Sequence, residues 1–383
     1  METVILPRKI RPPRLRDPAP RRFLKTVAVV VAAAAALGLV AGFAGRWAWP
    51  FEIASHFQVQ YFWALAAAGG VLAWLRKYRL AVLPALLGTV ALARIVPFYV
   101  PDGTAEPVGD AARLRILSFN VYTANREHRY VCEYVRQKHP AIAVFYEVNA
   151  NWGRQLEQLE DDFPYHKTWI DPEIATRGLA VYSRFPLWDV QLEDIGDGNR
   201  AIIAEMLLDS RPVTLIAAHT TSPKSPSRLQ QRNRQLARLA ELSGARSEPV
   251  VLVGDLNSSP WSPTFEDFLH TAGLRHSRLG SGVQATWPSA FCPFGIPIDH
   301  CLISNEFLVK RCRAGTDVYS DHLPLIVDLV LLDDDQWPGA AAEEPGPLGD
   351  GLAPGSAEKK NTNQTNYANE KTTWLRVGEE DRG

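Results

Sequence analysis

Three apolar runs dominate the first quarter of the chain. Residues 26–43 read TVAVVVAAAAALGLVAGF, with no charge and no strand-like alternation. Residues 61–75 (YFWALAAAGGVLAWL) and 80–99 (LAVLPALLGTVALARIVPFY) are also apolar, Arg94 excepted. A helix that crosses a bilayer needs roughly 20 largely apolar residues. The first and third runs reach that length, and the second does once residues 57–60 are included. Trp47, Trp49, Tyr61, Trp63, Trp74 and Tyr99 flank the runs, as aromatic side chains do at membrane interfaces. The pattern predicts three transmembrane helices within residues 26–100, in preference to three buried helices of a globular core.

Beyond residue 112 the period changes. Short β-like runs at 114–121, 141–145, 178–183, 201–208, 213–218, 250–254, 298–304, 308–314 and 325–331 alternate with helical patterns at 128–139, 151–159, 227–242 and 263–271. Mixed order with several hairpins predicts an α/β sandwich of two sheets covered by helices. Neither GxGxxG nor GxxxxGK[ST] occurs, so no nucleotide-cradling loop is indicated. Residues 101–112 read as a linker. Residues 333–383, rich in Pro, Gly and acids, read as a disordered tail. The folded domain therefore spans 113–332, behind a basic tail (1–25) and a membrane domain (26–100).

Apolar strands in this domain repeatedly end on a polar group. The run LSFN ends at Asn120 and AVFYE at Glu147, while LIAAH ends at His219. In VVLVGDLN, Asp255 and Asn257 leave the strand on one face while Leu256 points to the other, because side chains alternate along a strand. Asp299 sits within a β pattern, and Ser320-Asp321-His322 leads directly into the last strand. Each has a local explanation as a turn, a cap or a core histidine. Six such endings in one domain are better explained as one site at the rim of the sheets.

Charge adds orientation. The formal net charge of −1 gives the chain no global attraction to nucleic acid. The first 25 residues, however, carry Arg8, Lys9, Arg11, Arg14, Arg16, Arg21, Arg22 and Lys25 against Glu2 and Asp17. That tail and Arg76-Lys77-Tyr78-Arg79 flank alternate ends of the first two runs, which places both in the cytoplasm. Three spans then put the folded domain outside it, and a signal peptide cleaved after Gly42 would do the same. Arg94, near the outer end of the third run, is expected to snorkel outward. Four cysteines in 383 residues are no disulfide scaffold. Cys301 and Cys312 could face each other across a hairpin, but buried thiols are expected.

With these residues in place, LRILSFNV, YEV, GLAVYSRFP, AAHT, GDLNSSPWSP, IDHCLIS and SDHLPLIV follow one another in an order and spacing that resembles the endonuclease/exonuclease/phosphatase superfamily. The match is to its membrane-anchored bacterial type. The superfamily includes deoxyribonucleases, abasic-site endonucleases, sphingomyelinases and inositol polyphosphate phosphatases. The resemblance implies a four-layered α/β sandwich, two mixed sheets flanked by helices, and metal-dependent hydrolysis of phosphate esters. It implies Glu147 as a ligand of Mg²⁺, with Mn²⁺ as substitute, Asn120 beside it and Asp321 as a second carboxylate on the metal side. Asp255 would orient or deprotonate the attacking water, Asn257 would hold the phosphate or the metal, and His219 would touch a phosphate oxygen. Asp299 would pair with His322 and fix its tautomer. His300 falls on the opposite strand face and stays outside the site. The chain departs from the family pattern at Tyr146, where many relatives carry Gln, and at Tyr122, where nuclease members often carry an acid. Tyr182 reads as packing, and Arg177 as a solvated loop arginine within reach of phosphate.

The substrate is less constrained than the chemistry. Residues 113–331 hold 23 Lys/Arg and 25 Asp/Glu, so the basic face of a duplex-binding nuclease is not expected. Arg228, Arg232, Arg234 and Arg238 lie at helical spacing and read as a solvated face. A short linker to a membrane anchor raises the effective concentration of lipid-borne phosphates at the site. The leading expectation is a phosphoesterase acting on a phosphate ester or pyrophosphate, lipid-linked and outside the cytoplasm, with the bilayer as its partner. The alternative is a membrane-tethered nuclease acting on DNA.

Overall fold

The computed structural model describes residues 18–101, 113–291 and 294–332. The linker, the tail beyond residue 332, most of the basic N-terminal segment and Cys292 lie outside the described residues.

The apolar runs form three helices, α1 (Ala19–Phe43), α3 (Gln58–Trp74) and α4 (Tyr78–Ile95), and a short helix α2 (Trp49–Ser55) sits between the first two. Small residues set their contacts. Ala28, Ala32, Ala35 and Gly42 lie on the buried stripe of α1, and a Cβ added at Gly38 would come within 2.6 Å of the Tyr61 hydroxyl. Such residues let helices approach closely where burial of large side chains is not the driving force. The opposite faces expose Val30, Leu37, Leu83 and Leu86. Among the described residues two helices are long and apolar enough to cross a membrane: α1, at a hydropathy of 2.4, and α4 with its 3₁₀ extension, at 1.9. At 17 residues, α3 is shorter than the span expected from the sequence.

The domain after residue 112 is built of two six-stranded mixed sheets. The first takes β1 (Arg113–Asn120), β2 (Ile142–Tyr146), β3 (Tyr165–Trp169) and β4 (Leu179–Ser183). The second takes β5 (Trp188–Gly196), β6 (Asn199–Leu208), β7 (Arg211–His219), β8 (Val250–Asp255), β9 (Arg275–His276) and β10 (Asp299–Ile303). The chain then returns to the first sheet through β11 (Phe307–Ala314) and β12 (Leu325–Leu331). The orders are β11-β12-β1-β2-β4-β3 and β5-β6-β7-β8-β10-β9. Only β1/β2 and β7/β8 are parallel; both pairs lie near the middle of their sheets.

Strand parity builds the layers. Ile116, Val144, Leu215 and Val253 meet between the sheets. On the first sheet the residues of opposite parity, such as Phe119 and Phe145, face α5 (His128–Lys138) and α6 (Ala150–Leu156). On the second sheet, Ile216 and Leu252 face α7 (Pro226–Gly244) and α8 (Pro263–Ala272). The result is the four-layered sandwich expected from the sequence pattern. The strands not anticipated, β3, β5 and β9, are all sheet edges, and the first two carry charged residues along their length, which is how edges resist further pairing. Those charges hid them from a search for apolar runs.

The helical bundle sits on the domain through the ends of its helices. Arg46 pairs with Asp267 at 2.6 Å, Gln60 Nε2 donates to the Phe294 carbonyl, and Trp261 Nε1 donates to the Arg94 carbonyl. Arg94 turns into the domain to pair with Glu266 and the Trp261 carbonyl, where snorkelling to solvent was expected. The arginines of α7 correct a second expectation. Arg234 and Arg238 do form surface pairs, but Arg232 is wholly buried and donates to Glu52 Oε1 of α2. A solvated face cannot be read from helical spacing alone when a segment distant in sequence covers it. Cys132, Cys301 and Cys312 are free and buried.

Candidate active site

The inward parity of the central strands continues to their ends. Ile116 and Ser118 lead to Asn120, Leu215 and Ala217 lead to His219, and Val251 and Val253 lead to Asp255. Asp299 begins β10 on the face that carries Cys301 and Ile303 into the core. Register joins them: His219 is the cross-strand neighbour of Asp255, and Asp255 that of Asp299. The polar endings seen in the sequence therefore converge at one end of the space between the sheets. Gly254 is required for this. A Cβ there would stand 2.4 Å from the Ala218 carbonyl oxygen, so only glycine lets β8 lie against β7 just before Asp255.

Asn120 donates from Nδ2 to Glu147 Oε1 at 3.2 Å and to Asp255 Oδ2 at 3.0 Å, which spaces the two carboxylates. Its Oδ1 accepts from the Tyr122 amide at 3.0 Å and is held by that bond. Glu147 takes further donors at Oε2 from the amide and hydroxyl of Thr123, both at 3.2 Å. His322 Nδ1 lies 2.9 Å from Asp299 Oδ2, and its Nε2 lies 3.6 Å from Asp255 Oδ2. His219 Nε2 stands 3.6 Å from the same Asp255 oxygen. Asn257 Nδ2 donates to the Thr220 carbonyl, and its amide donates to Asp255 Oδ1. Asp321 accepts from Trp287 Nε1 at 3.3 Å. All eight residues named from the sequence thus fall in one neighbourhood. His300 lies apart from them, 4.4 Å from the Phe265 ring, with Nε2 against the Ser258 carbonyl. Tyr182 packs among Phe145, Phe163 and His166.

Burial sets the electrostatics. Loss of solvent pushes the Asp255 carboxyl up, the Asp299 charge pushes it further, and His322 and His219 oppose both, leaving it at about 6. Burial alone would lower His322, but Asp299 and Asp255 outweigh it and raise the imidazole to about 10. At neutral pH His322 is therefore a cation with each N–H turned toward a carboxylate. Glu147, Tyr122 and Asn257 adopt left-handed φ of 60°, 59° and 47°. For non-glycine residues that is stored strain of order 1–3 kcal/mol each, and it clusters where side chains must leave a strand at a fixed angle.

The closest grouping of possible metal ligands is Asp255, Asp299 and His322, whose ligand atoms lie within 4.8 Å of one another. A protonated His322 bonded to Asp299 has no lone pair to give, so this grouping reads as a hydrogen-bonded relay. The wider set fits a hard divalent cation. Glu147, Asp255, Asp299 and Asp321 bring four carboxyl groups to the site, and Asp299 Oδ1 is buried without a hydrogen-bond partner among the described residues. Oxygen donors in excess of positive charge suit such an ion. Asn120 Oδ1 accepts from the Tyr122 amide and keeps a second lone pair for a cation beside Glu147, and Glu147, Asp255 and Asp321 are the carboxyl groups lining the cleft.

That cleft, about 770 Å³, has further walls, and Arg177, expected within reach of phosphate, is part of one of them. Lys224, Arg228 and Arg177 form a cationic side, and Trp49, Ile53 and Phe57 come from the segment between the first two apolar helices. Thr123, Thr286 and Ser320 hold the site from behind: Thr286 Oγ1 accepts from the Asp299 amide, and Ser320 Oγ donates to the Asn120 carbonyl. Nothing in the local sequence singles these out, since each acts through a partner 13 or more residues away.

A two-sheet sandwich with a carboxylate-rich rim, a buried Asp–His pair and a divalent-cation site defines a metal-dependent hydrolase of phosphate esters. The chain belongs to the Endonuclease/Exonuclease/phosphatase family, whose model matches residues 117–322. Similar solved structures include an endonuclease/exonuclease/phosphatase from Bacteroides vulgatus (19% identity, 57% of this chain and 99% of that one, TM-score 0.49). Another is from Beutenbergia cavernae (20%, 58% and 72%, TM-score 0.46). A third is D. rerio TDP2 complexed with single strand DNA product (16%, 57% and 98%, TM-score 0.49). No curated protein matches the sequence.

Proposed function

We propose that this protein is a Mg²⁺-dependent phosphoesterase anchored by three membrane spans, with its cleft outside the cytoplasm and a lipid-linked phosphate or pyrophosphate as substrate. One observation carries the reading: the cleft is lined both by the carboxylate–histidine site and by the segment that joins two of the apolar helices. A phosphate reaching this site while its lipid remains in the bilayer needs that arrangement. Exposed valines and leucines along α1 and α4 support placement in lipid, since only 28% and 22% of their apolar windows are buried. For α3, flanking residues 57 and 75 extend the apolar length. The acid–base balance of the domain argues against the nuclease alternative.

Asp255 is the group placed to take a proton from an attacking water, because burial and Asp299 lift it into the range where it exchanges protons near neutrality. His322 and His219 stand beside it, each Nε2 3.6 Å from Asp255 Oδ2 and placed to donate to phosphate oxygens. Asp299 holds the His322 ring by Nδ1, so the reactive N–H is Nε2. Asn257 fixes the turn after β8, and its amide orients the other oxygen of Asp255. When bound at Glu147 and Asp321, a divalent cation would supply charge neutralisation for the phosphate.

Turnover should rise with pH through about 6 as Asp255 loses its proton, and fall near 10 as His322 loses its own. A kcat/KM profile flat between pH 5 and 7 would contradict Asp255 as the base. Chelator should abolish turnover and Mg²⁺ restore it. Glu147→Gln should raise the Mg²⁺ concentration for half-activity by about tenfold or more, read from a metal titration. The reading itself is tested by full-length protein in detergent, supplied with a polyprenyl pyrophosphate, a phospholipid, a bis-aryl phosphodiester and plasmid DNA. Chelator-sensitive hydrolysis of the lipid phosphates supports it, and cleavage of DNA alone sinks it.

A further inference from the structure

The segment between α1 and α3 is more than a connector. Trp49 and Ile53 lie four apart on α2 and so share one helical face, Phe57 follows just past its end, and all three line the cleft. The rest of the helix is fastened to the domain. Glu52 is wholly buried and accepts from Arg232 of α7 and from the Ser262 hydroxyl at 2.6 Å. His56 Nδ1 lies 2.8 Å from the Ser259 hydroxyl, and Trp49 Nε1 donates to the Pro223 carbonyl at 2.7 Å. A loop that only joined two helices would need none of these contacts. Ile296 and Ile298, both buried, line the same cleft as Asp255 and His322 and add to its apolar lining.

We propose that α2 is the specificity wall of the substrate site, with Trp49, Ile53 and Phe57 seating the first methylenes of one lipid chain whose phosphate lies at the carboxylate–histidine centre. The proposal rests on reading the cleft as a lipid-phosphate site and adds which residues recognise the lipid. Its chemistry is asymmetric: the polar head meets Lys224, Arg228 and the histidines, and the chain leaves between α2 and the isoleucines toward the ends of α1 and α3. That exit direction matches a substrate still held in a membrane.

The test is binding, so that it can fail separately from the hydrolytic reading. n-Alkyl phosphonates of four to ten carbons, kept below their micellar concentrations, are titrated calorimetrically with Mg²⁺ against the full-length chain in phosphatidylcholine nanodiscs, with empty nanodiscs as blank. Affinity should rise up to roughly fourfold for each added methylene that becomes buried, then level off once the slot is filled. Ile53→Ser and Phe57→Ala should flatten that rise, and Ile53→Leu should keep it, which separates an apolar contact from loss of folding. Affinity independent of chain length in the unaltered protein overturns the proposal, even if lipid phosphates are hydrolysed. A rise unchanged in both Ile53→Ser and Phe57→Ala also overturns it, as does tighter binding of a short oligothymidylate than of octylphosphonate. A persisting rise without hydrolysis of any lipid phosphate would uphold the slot and sink the hydrolytic reading instead.

Discussion

Asp255→Asn is expected to lower kcat about 10³-fold while the melting temperature holds or rises. The loss follows from removing the proton acceptor, a role worth 10²–10⁴ in rate. The gain in stability follows from the same burial that tunes the residue. A carboxyl whose pKa rises on folding, here from 3.8 to about 6, makes the folded state lose stability as pH climbs between those values. At pH 8 the native protein bears the whole effect, of order 3 kcal/mol at 1.36 kcal/mol per unit of pKa. Asparagine does not ionise and so escapes it, although its single carbonyl oxygen can take the place of only one of the two carboxylate oxygens that accept from Asn120 and from the Asn257 amide. Turnover and thermal unfolding at pH 8 check the pair of effects. A fall of several degrees with activity largely retained would make Asp255 a structural residue.

Arg232→Met is expected to destabilise the folded protein by 3–5 kcal/mol. Both Arg232 and Glu52 are fully buried, and removing one leaves the other charged and uncompensated out of water. Glu52 Oε2 already lacks a hydrogen-bond partner among the described residues, so Glu52 has only Arg232 and Ser262 to satisfy it. The double variant Arg232→Met, Glu52→Gln should recover most of the loss, because no charge then remains buried. Thermal unfolding of the full-length chain in detergent reads both variants. Equal stability of Arg232→Met and the unaltered protein would mean that α2 is not fastened to the domain through this pair.

How much of this was legible in the sequence depended on distance along the chain. Strand parity carried Asn120, His219 and Asp255 to one place, because a period of two is a local property and the core fixes which face turns inward. The same rule kept His300 out. Parity has nothing to say about partners across the fold. Arg232 looked like one of four surface arginines, and only the packing of α2 on α7 reveals its counter-ion 180 positions away. Trp49 reads from the sequence as an interface aromatic and residue 57 as the start of the second apolar run, and the stretch between them matches neither period for long, so its place at the cleft is hidden. The left-handed backbone at Glu147 is equally invisible, since glutamate carries no preference for it. Edge strands β3 and β5 escaped because their charges serve to keep the edges from pairing.

The proposed function sets a phosphoester site at the end of a membrane bundle, working on lipid in its own bilayer. The most direct measurement is hydrolysis in proteoliposomes of defined orientation, with a polyprenyl pyrophosphate in the same vesicles as the protein or in separate ones. Rapid chelator-sensitive phosphate release from the shared bilayer, with little from the separate vesicles, is the result expected of a cleft that opens toward its own membrane. Equal release from both, or none from either while added DNA is cut, would contradict it.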